Sequence, residues 1–399
     1  MIWLQHFLCL THLLLLPFLV SAQFCPESII RPNSACSCYD HVDGAVVECE
    51  GPEGPEIIEK LKTFNMEIRK LTIRNADIIE IGPRAFRNLR IKHLNLDHNR
   101  IRTINPDAFR GLEYSMLYLS IAHNKLTEIP TDALTGMRNL LTLNLKCNNI
   151  GNIYNTAFRN VSNLMELNLG CNQICRISPD AFNGIKLRLQ SLILDQNCLQ
   201  EVPAKALRGF NSLLGLHMRD NRIPNLDKLQ FMNLLSLIMV RLSGNHIQSI
   251  HPQAFTNIPN LRFLYLDRNK LNTIVPNTLQ QFRYLEIADL SYNNIAEIVS
   301  GTFANMEHLM QLNLEGNMLA DIQPGAFSGS PLLGVPLLRQ LSLKSNNLRA
   351  IQAFAFAQLP NLQILDLSEN KIETVPTAAF TYSQTTTILL QGDGIVFMS

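Results

Sequence analysis

Cysteine is the residue type whose number and spacing predict the most chemistry in this 399-residue sequence. One of the nine cysteines, Cys9, falls in an apolar leader, which leaves an even number in the rest of the chain. An even number in an exported chain predicts disulfide bonds. Four lie near the N-terminus in the pattern C-x10-C-x-C-x10-C, and this spacing alone leaves three pairings open. The eight are Cys25, Cys36, Cys38, Cys49, Cys147, Cys171, Cys175 and Cys198.

The sequence carries no pattern that predicts catalysis or a cofactor. The motifs G-x-S-x-G and H-E-x-x-H, the Walker loop and the dinucleotide-binding glycine fingerprint are absent. Residues 171–175 have no second ligand pair at zinc spacing, so no metal site is predicted. We interpret His93, His98, His123 and His217 as variable polar residues of an exposed strand face, not as members of a catalytic set. We therefore expect a protein that is not an enzyme and has no cofactor.

Charge and the N-terminal segment are typical of an exported protein. Lys and Arg total 34 against 33 Asp and Glu, and a net charge of +1 gives no reason to expect a nucleic-acid partner. Residues 1–22 are predicted to be a signal peptide, with an apolar run at 13–20 and small residues at 20 and 22. The alternative is an uncleaved anchor, although the run falls short of the ~20 residues that span a bilayer. The mature chain is predicted to have no transmembrane segment and to be secreted to the extracellular space or matrix.

A repeated unit dominates the rest of the chain, with the pattern L-x-x-L-x-L-x-x-N-x-L-x-x-I-x-x-x-A-F-x-x-L. Clean copies begin at Leu261 and Leu309. Most steps between the repeated asparagines are 24 residues. We predict thirteen repeats over residues 68–385, followed by a degenerate repeat or irregular end at 386–399. The asparagines are Asn99, Asn124, Asn148, Asn172, Asn197, Asn221, Asn245, Asn269, Asn293, Asn317, Asn346 and Asn370.

This pattern predicts a curved α/β solenoid. The L-x-L pair alternates with period two, which predicts a short strand whose leucines point inward. Stacked strands then form one parallel concave sheet, with short irregular, 3₁₀ or helical segments outside. The asparagine is expected to bond buried main-chain groups at each turn, and the Ala-Phe pair to return the chain along the outer side. These columns are interpreted as structural, not as functional sites.

The repeat also places the four middle cysteines. Cys147 and Cys171 each precede the asparagine of consecutive repeats, so their Cα atoms are expected about one strand spacing apart. Cys175 and Cys198 lie two slots apart in neighbouring repeats. We predict the bonds Cys147–Cys171 and Cys175–Cys198, with free and partly buried thiols as the alternative.

Residues 23–67, with their four cysteines, form a predicted N-terminal cap. Together with the repeats, this segment resembles the cysteine-rich flank of extracellular leucine-rich-repeat proteins. The resemblance implies the pairs Cys25–Cys38 and Cys36–Cys49 and a curved leucine-rich-repeat horseshoe. It also implies a secreted scaffold that binds an extracellular protein in matrix organisation or cell adhesion. The alternative is the ectodomain of a signalling or innate-immune receptor whose anchor is missing from this chain.

Aromatic and arginine side chains in the variable strand slots predict where such a partner binds. These residue types are enriched among the energetically dominant residues of protein interfaces. A smaller candidate surface near the N-terminal end comprises Lys70, Arg74, His93, Asp97 and Tyr118. The main candidate set in the middle repeats is His217, Arg219, Met239, Arg241, Phe263, Tyr265, Asp267, Arg268 and Tyr292, with Asp220 beside it.

Three irregular features complete the sequence. The step from Asn317 to Asn346 is 29 residues, and the Pro- and Gly-containing segment 328–336 is either a tolerated insertion or an apolar contact loop. No cysteine follows Cys198, so either residues 388–398 fold over as a short cap or the natural protein continues. An exposed end would also allow an end-to-end homodimer. The triplet beginning at Asn160 is an N-glycosylation sequon.

Overall fold

The computed structural model describes residues 24–26, 35–327, 334–357, 359–381, 383 and 387–393. The predicted signal peptide at 1–22 lies outside the described residues. So do residues 328–333, most of the predicted insertion, and residues 394–399 of the chain end. The described chain forms a leucine-rich-repeat solenoid built on one sheet of sixteen strands, and this confirms the predicted fold.

The strands of this sheet follow one another in chain order, so each repeat adds one strand beside the last. They are β1 Cys36–His41, β2 Gly44–Glu50, β3 Met66–Arg74, β4 Leu89–Asn95, β5 Tyr118–Ser120, β6 Thr142–Asn144, β7 Glu166–Asn168, β8 Ser191–Ile193, β9 Gly215–His217, β10 Met239–Arg241, β11 Phe263–Tyr265, β12 Ile287–Asp289, β13 Gln311–Asn313, β14 Gln340–Ser342, β15 Ile364–Asp366 and β16 Thr387–Leu389. Among the strands of the described residues, β1 and β2 alone pair antiparallel, as the hairpin of the cap. All later neighbours in the sheet are parallel.

The outer side of the solenoid is made mainly of turns. Three pairs of two-residue strands lie there: Glu80–Ile81 with Thr103–Ile104, Asn152–Ile153 with Arg176–Ile177, and Phe231–Met232 with Phe255–Thr256. The helices are α1 Gly54–Leu61, α2 Ala204–Leu207 and a 3₁₀ turn, Thr377–Phe380. Because turns are this compact, each repeat closes within about 24 residues and the strands stay in register.

Phenylalanine rings stack along the outer part of the core. Neighbouring rings of the column lie between 4.7 Å and 6.3 Å apart, centroid to centroid. Leucine replaces phenylalanine at Leu134, Leu207 and Leu279, and at the last two of these positions the structure shows a compensation. A buried phenylalanine three residues later turns its edge to the preceding ring: Phe210 to Phe182 at 5.8 Å, and Phe282 to Phe255 at 5.1 Å.

The N-terminal cap closes the first turn of the solenoid. Cys25 is bonded to Cys38 and Cys36 to Cys49, the pairing that the family resemblance implies. Helix α1 packs so closely on the first repeat that a Cβ on its Gly54 would collide with Ala76. Ala76 occupies the slot of the repeated asparagine. The closeness of the cap explains why this one slot holds a small residue.

At the other end, β16 adds a further parallel strand, with all three of its residues exposed. This segment of the predicted irregular end is therefore a regular strand of the degenerate repeat. Asp393 lies at the asparagine slot of this turn, where its Oδ1 accepts a hydrogen bond from the Ile372 amide at 3.4 Å. Its Oδ2 is buried and has no hydrogen-bond partner among the described residues.

The repeated asparagines tie each turn to the turn before it. In Asn269, Oδ1 accepts a hydrogen bond from the Ile247 amide at 3.0 Å, and Nδ2 donates to the carbonyl oxygens of Leu242 and Leu266, both at 2.9 Å. Ile247 and Leu242 belong to the preceding repeat. The same pattern recurs from Asn99 to Asn370. Each amide side chain thus satisfies buried backbone groups that water cannot reach.

We expect Asn269→Ala to lower the free energy of unfolding by about 3 kcal/mol or more, because it leaves several buried backbone groups unpaired, each costing about 1–3 kcal/mol. Urea denaturation followed by circular dichroism measures this loss. Asn272→Ala, three residues later at an exposed position, is the matched control and should change stability by less than about 0.5 kcal/mol. Equal effects of the two substitutions would contradict the role given to the ladder.

We expect Asp393→Asn to strengthen the last described turn, because an amide can donate to buried carbonyl groups that a carboxylate repels. Burial raises the pKa of Asp393 above its usual range, so its protonated form is favoured in the folded chain. The wild-type turn should therefore lose protection as the pH rises through this raised pKa, and the variant should not. Hydrogen-exchange protection factors around Ile372 measure the difference, with Glu373→Gln as an exposed control.

Candidate functional site

Each repeat presents four variable positions on the sheet face that lies opposite the core. In the repeat that contains β11 these are Phe263 and Tyr265 in the strand, followed by Asp267 and Arg268 in the turn. Leu264 between the two aromatic residues is completely buried. The strand residues alternate between core and outer face, as a period of two requires.

The last of the four positions has a backbone conformation that the sequence did not predict. It lies in the left-handed region, with φ of 54° at both Arg268 and Tyr292. The prediction placed Arg219, Asp267, Arg268 and Tyr292 in strand slots, and this was wrong, because all four lie in the turn after a strand. The chain bends here toward the asparagine that follows. The non-glycine residues of this column are Asn75, His98, His123, Cys147, Cys171, Gln196, Asp220, Arg268, Tyr292, Ser345 and Glu369.

Six partly exposed side chains form a continuous surface on four neighbouring strands, which we call the central patch. Its first row holds the apolar residues Met239, Phe263 and Ile287 in direct register. Its second row holds a histidine, an arginine and a tyrosine, also in register. The central patch is Met239, Phe263, Ile287, His217, Arg241 and Tyr265. Sequence reasoning missed Ile287, although an isoleucine in a slot that is usually polar was a usable signal.

Arg241 is the charged centre of this patch. Its guanidinium carbon lies 5.1 Å from the centroid of the Tyr265 ring, a cation–π distance. Its Nε is buried and has no hydrogen-bond partner among the described residues. Arg262 resembles Arg241 because its guanidinium carbon lies 5.8 Å from the centroid of the Phe263 ring. Its charge is neutralised, however, because its Nε donates to Glu286 at 2.8 Å.

His217 borders Arg241 in the same row. Burial lowers the pKa of His217 below its usual range. Asp195 opposes this shift, while the positive charges of Arg241 and Arg219 add to it. The imidazole lies over Gly215, since a Cβ added there would approach its Nε2 to 3.2 Å. This shift favours the uncharged imidazole, so Arg241 supplies the positive charge of the patch.

Four of the remaining side chains interact with their own neighbours, whereas the exposed Arg268 forms no ion pair within the described residues. Arg219 and Asp220 form an ion pair at 3.3 Å, and Asp267 accepts a short hydrogen bond from the Ser243 hydroxyl. Tyr292 donates its hydroxyl to Glu315 at 2.8 Å. These side chains surround the central patch but are already paired, so they contribute less free charge to a partner.

The smaller N-terminal candidate is a contact between cap and solenoid. Lys70 pairs with Glu48 of the cap hairpin at 2.6 Å, and Arg74 approaches Glu50 at 3.6 Å. The rings of His93 and Tyr118 stack on adjacent strands at 5.9 Å, and Asp97 accepts from the Ser120 hydroxyl and the Ala122 amide. Because the cap hairpin neutralises the two basic side chains, the structure favours the central patch over this surface.

The middle cysteines join three consecutive repeats. Cys147 is bonded to Cys171 with 4.3 Å between their Cα atoms, and Cys175 to Cys198 with 4.5 Å. Cys147 and Cys171 both occupy the left-handed column. Among the described residues, no group of three or more His, Cys, Asp or Glu side chains is placed to hold a metal ion.

Asn160, the predicted glycosylation site, is exposed in a left-handed turn with φ of 64°, two residues after Phe158. Its occupancy stays a prediction. Within the described residues, no helix combines the length and apolar character needed to cross a membrane.

Two family profiles match the chain. The profile described as "Leucine rich repeat" matches overlapping segments between residues 162 and 334 and the segment 336–395. A second, described as "BspA type Leucine rich repeat region (6 copies)", matches residues 56–188. Together they cover the repeats and part of the cap.

Similar proteins include P-granule-associated novel protein 1 of Caenorhabditis elegans, 30% identical over 127 residues that cover 30% of this chain and 21% of that protein. Chaoptin of Drosophila melanogaster is 30% identical over 117 residues, which are 28% of this chain and 8% of chaoptin. Fibromodulin of Sus scrofa is 32% identical over 135 residues, or 34% of this chain and 71% of fibromodulin. The matched part thus spans under a quarter of the length of the first two relatives.

Solved structures share the fold at low identity. A chain of the glycosylated Drosophila Toll–Spätzle complex matches with a TM-score of 0.66 and 16% identity, covering 94% of this chain and 61% of that chain. A leucine-rich-repeat protein of Leptospira interrogans matches with a TM-score of 0.58 and 20% identity, covering 86% and 93%. At these identities the likeness concerns the fold alone.

We expect acid to destabilise the protein partly through His217. Since its pKa is lowered in the folded chain, the unfolded chain takes up this proton more readily than the folded chain does as the pH falls through about 6.5. His217→Gln should therefore reduce the loss of unfolding free energy between pH 7.5 and pH 5, which urea titrations at each pH measure. His246→Gln, at an exposed turn position, is the control. An unchanged pH dependence in His217→Gln would contradict the burial of this imidazole.

Proposed function

We propose that this chain, which belongs to the leucine-rich-repeat family, is a secreted, non-enzymatic scaffold that binds another extracellular protein through the central patch. The observation that carries the proposal is the cation Arg241, which has no ion-pair partner among the described residues and lies over the Tyr265 ring beside three apolar side chains in register. Aromatic and arginine residues in such surroundings dominate the energetics of many protein interfaces.

The sheet gives these side chains a fixed arrangement before any partner arrives. Backbone hydrogen bonds hold β9 to β12 on both sides, and the strand middles at Leu216 and Leu264 are fully buried. Little conformational entropy is then lost on binding, which favours affinity. A repeat solenoid suits this task because its surface is extended and its core does not depend on the outward residues.

Extracellular matrix organisation or cell-surface adhesion is the role we favour. Four disulfides within the described residues support an oxidising compartment. The similarity to fibromodulin, which extends over most of that protein, agrees with a leucine-rich-repeat scaffold of this kind.

A receptor ectodomain is the second candidate, favoured by the shared fold with the Toll–Spätzle complex. A transcript that encodes a membrane-spanning segment downstream of the repeats would support the receptor over the matrix protein. An end-to-end homodimer is compatible with both, and light scattering of the purified protein tests it.

We expect Arg241→Ala combined with Tyr265→Ala to weaken partner binding at least tenfold, since interface residues of this type contribute about 2 kcal/mol or more each. Proximity labelling with the secreted protein identifies the partner, and surface plasmon resonance measures the affinity. The matched control is Gln311→Ala combined with Gln340→Ala, two exposed polar residues of the same face. Unfolding free energy should change by less than about 1 kcal/mol in both. Unchanged affinity in the patch variant would overturn the placement of the site.

A further inference from the structure

We propose that Arg241 and Tyr265 form a carboxylate-binding subsite that takes an acidic side chain from an extended peptide segment. The apolar row beside it takes an apolar side chain two positions away in the same segment. This inference rests on the proposed function and names the chemistry of the partner.

The electrostatic state of Arg241 is the first observation. Two neighbouring arginines are neutralised, Arg219 by Asp220 and Arg262 by Glu286. Arg268 also forms no ion pair within the described residues, but it is exposed in the turn after β11, whereas Arg241 is partly buried. No carboxylate of the described residues forms an ion pair with Arg241. Its buried Nε also lacks an acceptor. A partly buried cation without compensation is costly, and a carboxylate at its terminal amino groups would relieve that cost through charge-assisted hydrogen bonds.

Tyr265 fixes the guanidinium for this task. The ring lies below it at 5.1 Å, one strand further along the sheet. Stacking keeps the plane of the guanidinium in place and leaves its amino groups as the donors. A planar, oriented fork binds a carboxylate better than a flexible ammonium group does.

Spacing defines the rest of the segment. Phe263 and Tyr265 are two residues apart in β11, so their slots are separated by about 6.6 Å. An extended peptide places the side chains of residues i and i+2 on one face at the same distance. A segment that lies along the strands can therefore set an apolar side chain against the row of Met239, Phe263 and Ile287 and a carboxylate against Arg241.

The surroundings favour a single carboxylate over a polyanion. Acidic residues border the patch on several sides: Asp195 near His217, Asp267 in the turn after β11, and Asp289 beside Tyr265 in the same row. A sulfated polysaccharide would approach these carboxylates and be repelled. One monoanionic side chain with an apolar neighbour reaches Arg241 with much less of that repulsion.

Nuclear magnetic resonance of protein carrying ¹⁵N-arginine tests the subsite directly. The buried Nε–H of Arg241 should exchange slowly with water and give a resolved signal, which Arg241→Lys assigns by removing it. The probe is the tripeptide acetyl-Phe-Ser-Glu-amide, with acetyl-Phe-Ser-Gln-amide as the uncharged match. We expect the Glu peptide to shift this signal saturably, with at least about tenfold weaker binding of the Gln peptide.

Three variants sharpen the test. Arg241→Lys keeps the charge but loses the fork and should weaken binding of the Glu peptide several-fold, as reported by the backbone amide signals of β11 in uniformly ¹⁵N-labelled protein. Tyr265→Leu should weaken it as well, because the stacked ring is lost. Arg222→Lys, at an exposed position in the turn after Asn221, should leave peptide affinity unchanged.

Several results would overturn the inference. These are no shift with either peptide at millimolar concentration, equal shifts with both, or an Arg241-dependent shift with heparin but not with the Glu peptide. None of them depends on a natural partner. If a captured partner loses affinity in Tyr265→Ser but not in Arg241→Lys, the proposed function stands and the carboxylate subsite fails.

Discussion

The side-chain amide of the turn asparagine joins each repeat to the one before it, and the rest of the structure depends on this bond. Its oxygen accepts from an amide of the preceding turn, and its nitrogen donates to carbonyl groups of both turns, as Asn269 illustrates. Without it, the tight inward bend after every strand would bury unpaired backbone. The parallel sheet, the left-handed column before the asparagine and the fixed outer face all follow from that bend.

The regular columns could be predicted because one physical requirement recurs in every repeat. Sequence alone could not reveal that Phe210 supplies the ring that is missing at Leu207. This compensation depends on how the Phe210 ring meets Phe182 edge-on in the preceding repeat. The left-handed residues were also hidden, because the column accepts residue types as different as Tyr292 and Ser345. Its conformation is imposed by the asparagine ladder and not by local preference.

The central patch shows the same division between pattern and environment. The period of the repeat correctly predicted that His217, Arg241 and Tyr265 lie on one face. The same pattern predicted a second candidate surface that contains Lys70 and Arg74. What separates the two surfaces is the pairing of charges across distant segments. The cap hairpin supplies Glu48 to Lys70 and Glu50 to Arg74. In contrast, no carboxylate of the described residues forms an ion pair with Arg241. That difference arises only when the chain is folded.

The two disulfides across the middle repeats divide the solenoid mechanically. A chain of stacked turns that is pulled from its ends yields turn by turn, because each turn contacts only its neighbours. The bonds Cys147–Cys171 and Cys175–Cys198 cross-link nearly all of the chain between residues 147 and 198. Tension therefore passes through the disulfides, and this block cannot lengthen. It is an inextensible block between the N-terminal and C-terminal repeats, which we call the two arms and which can unfold under tension. The patch around Arg241 lies in the C-terminal arm, outside this inextensible block.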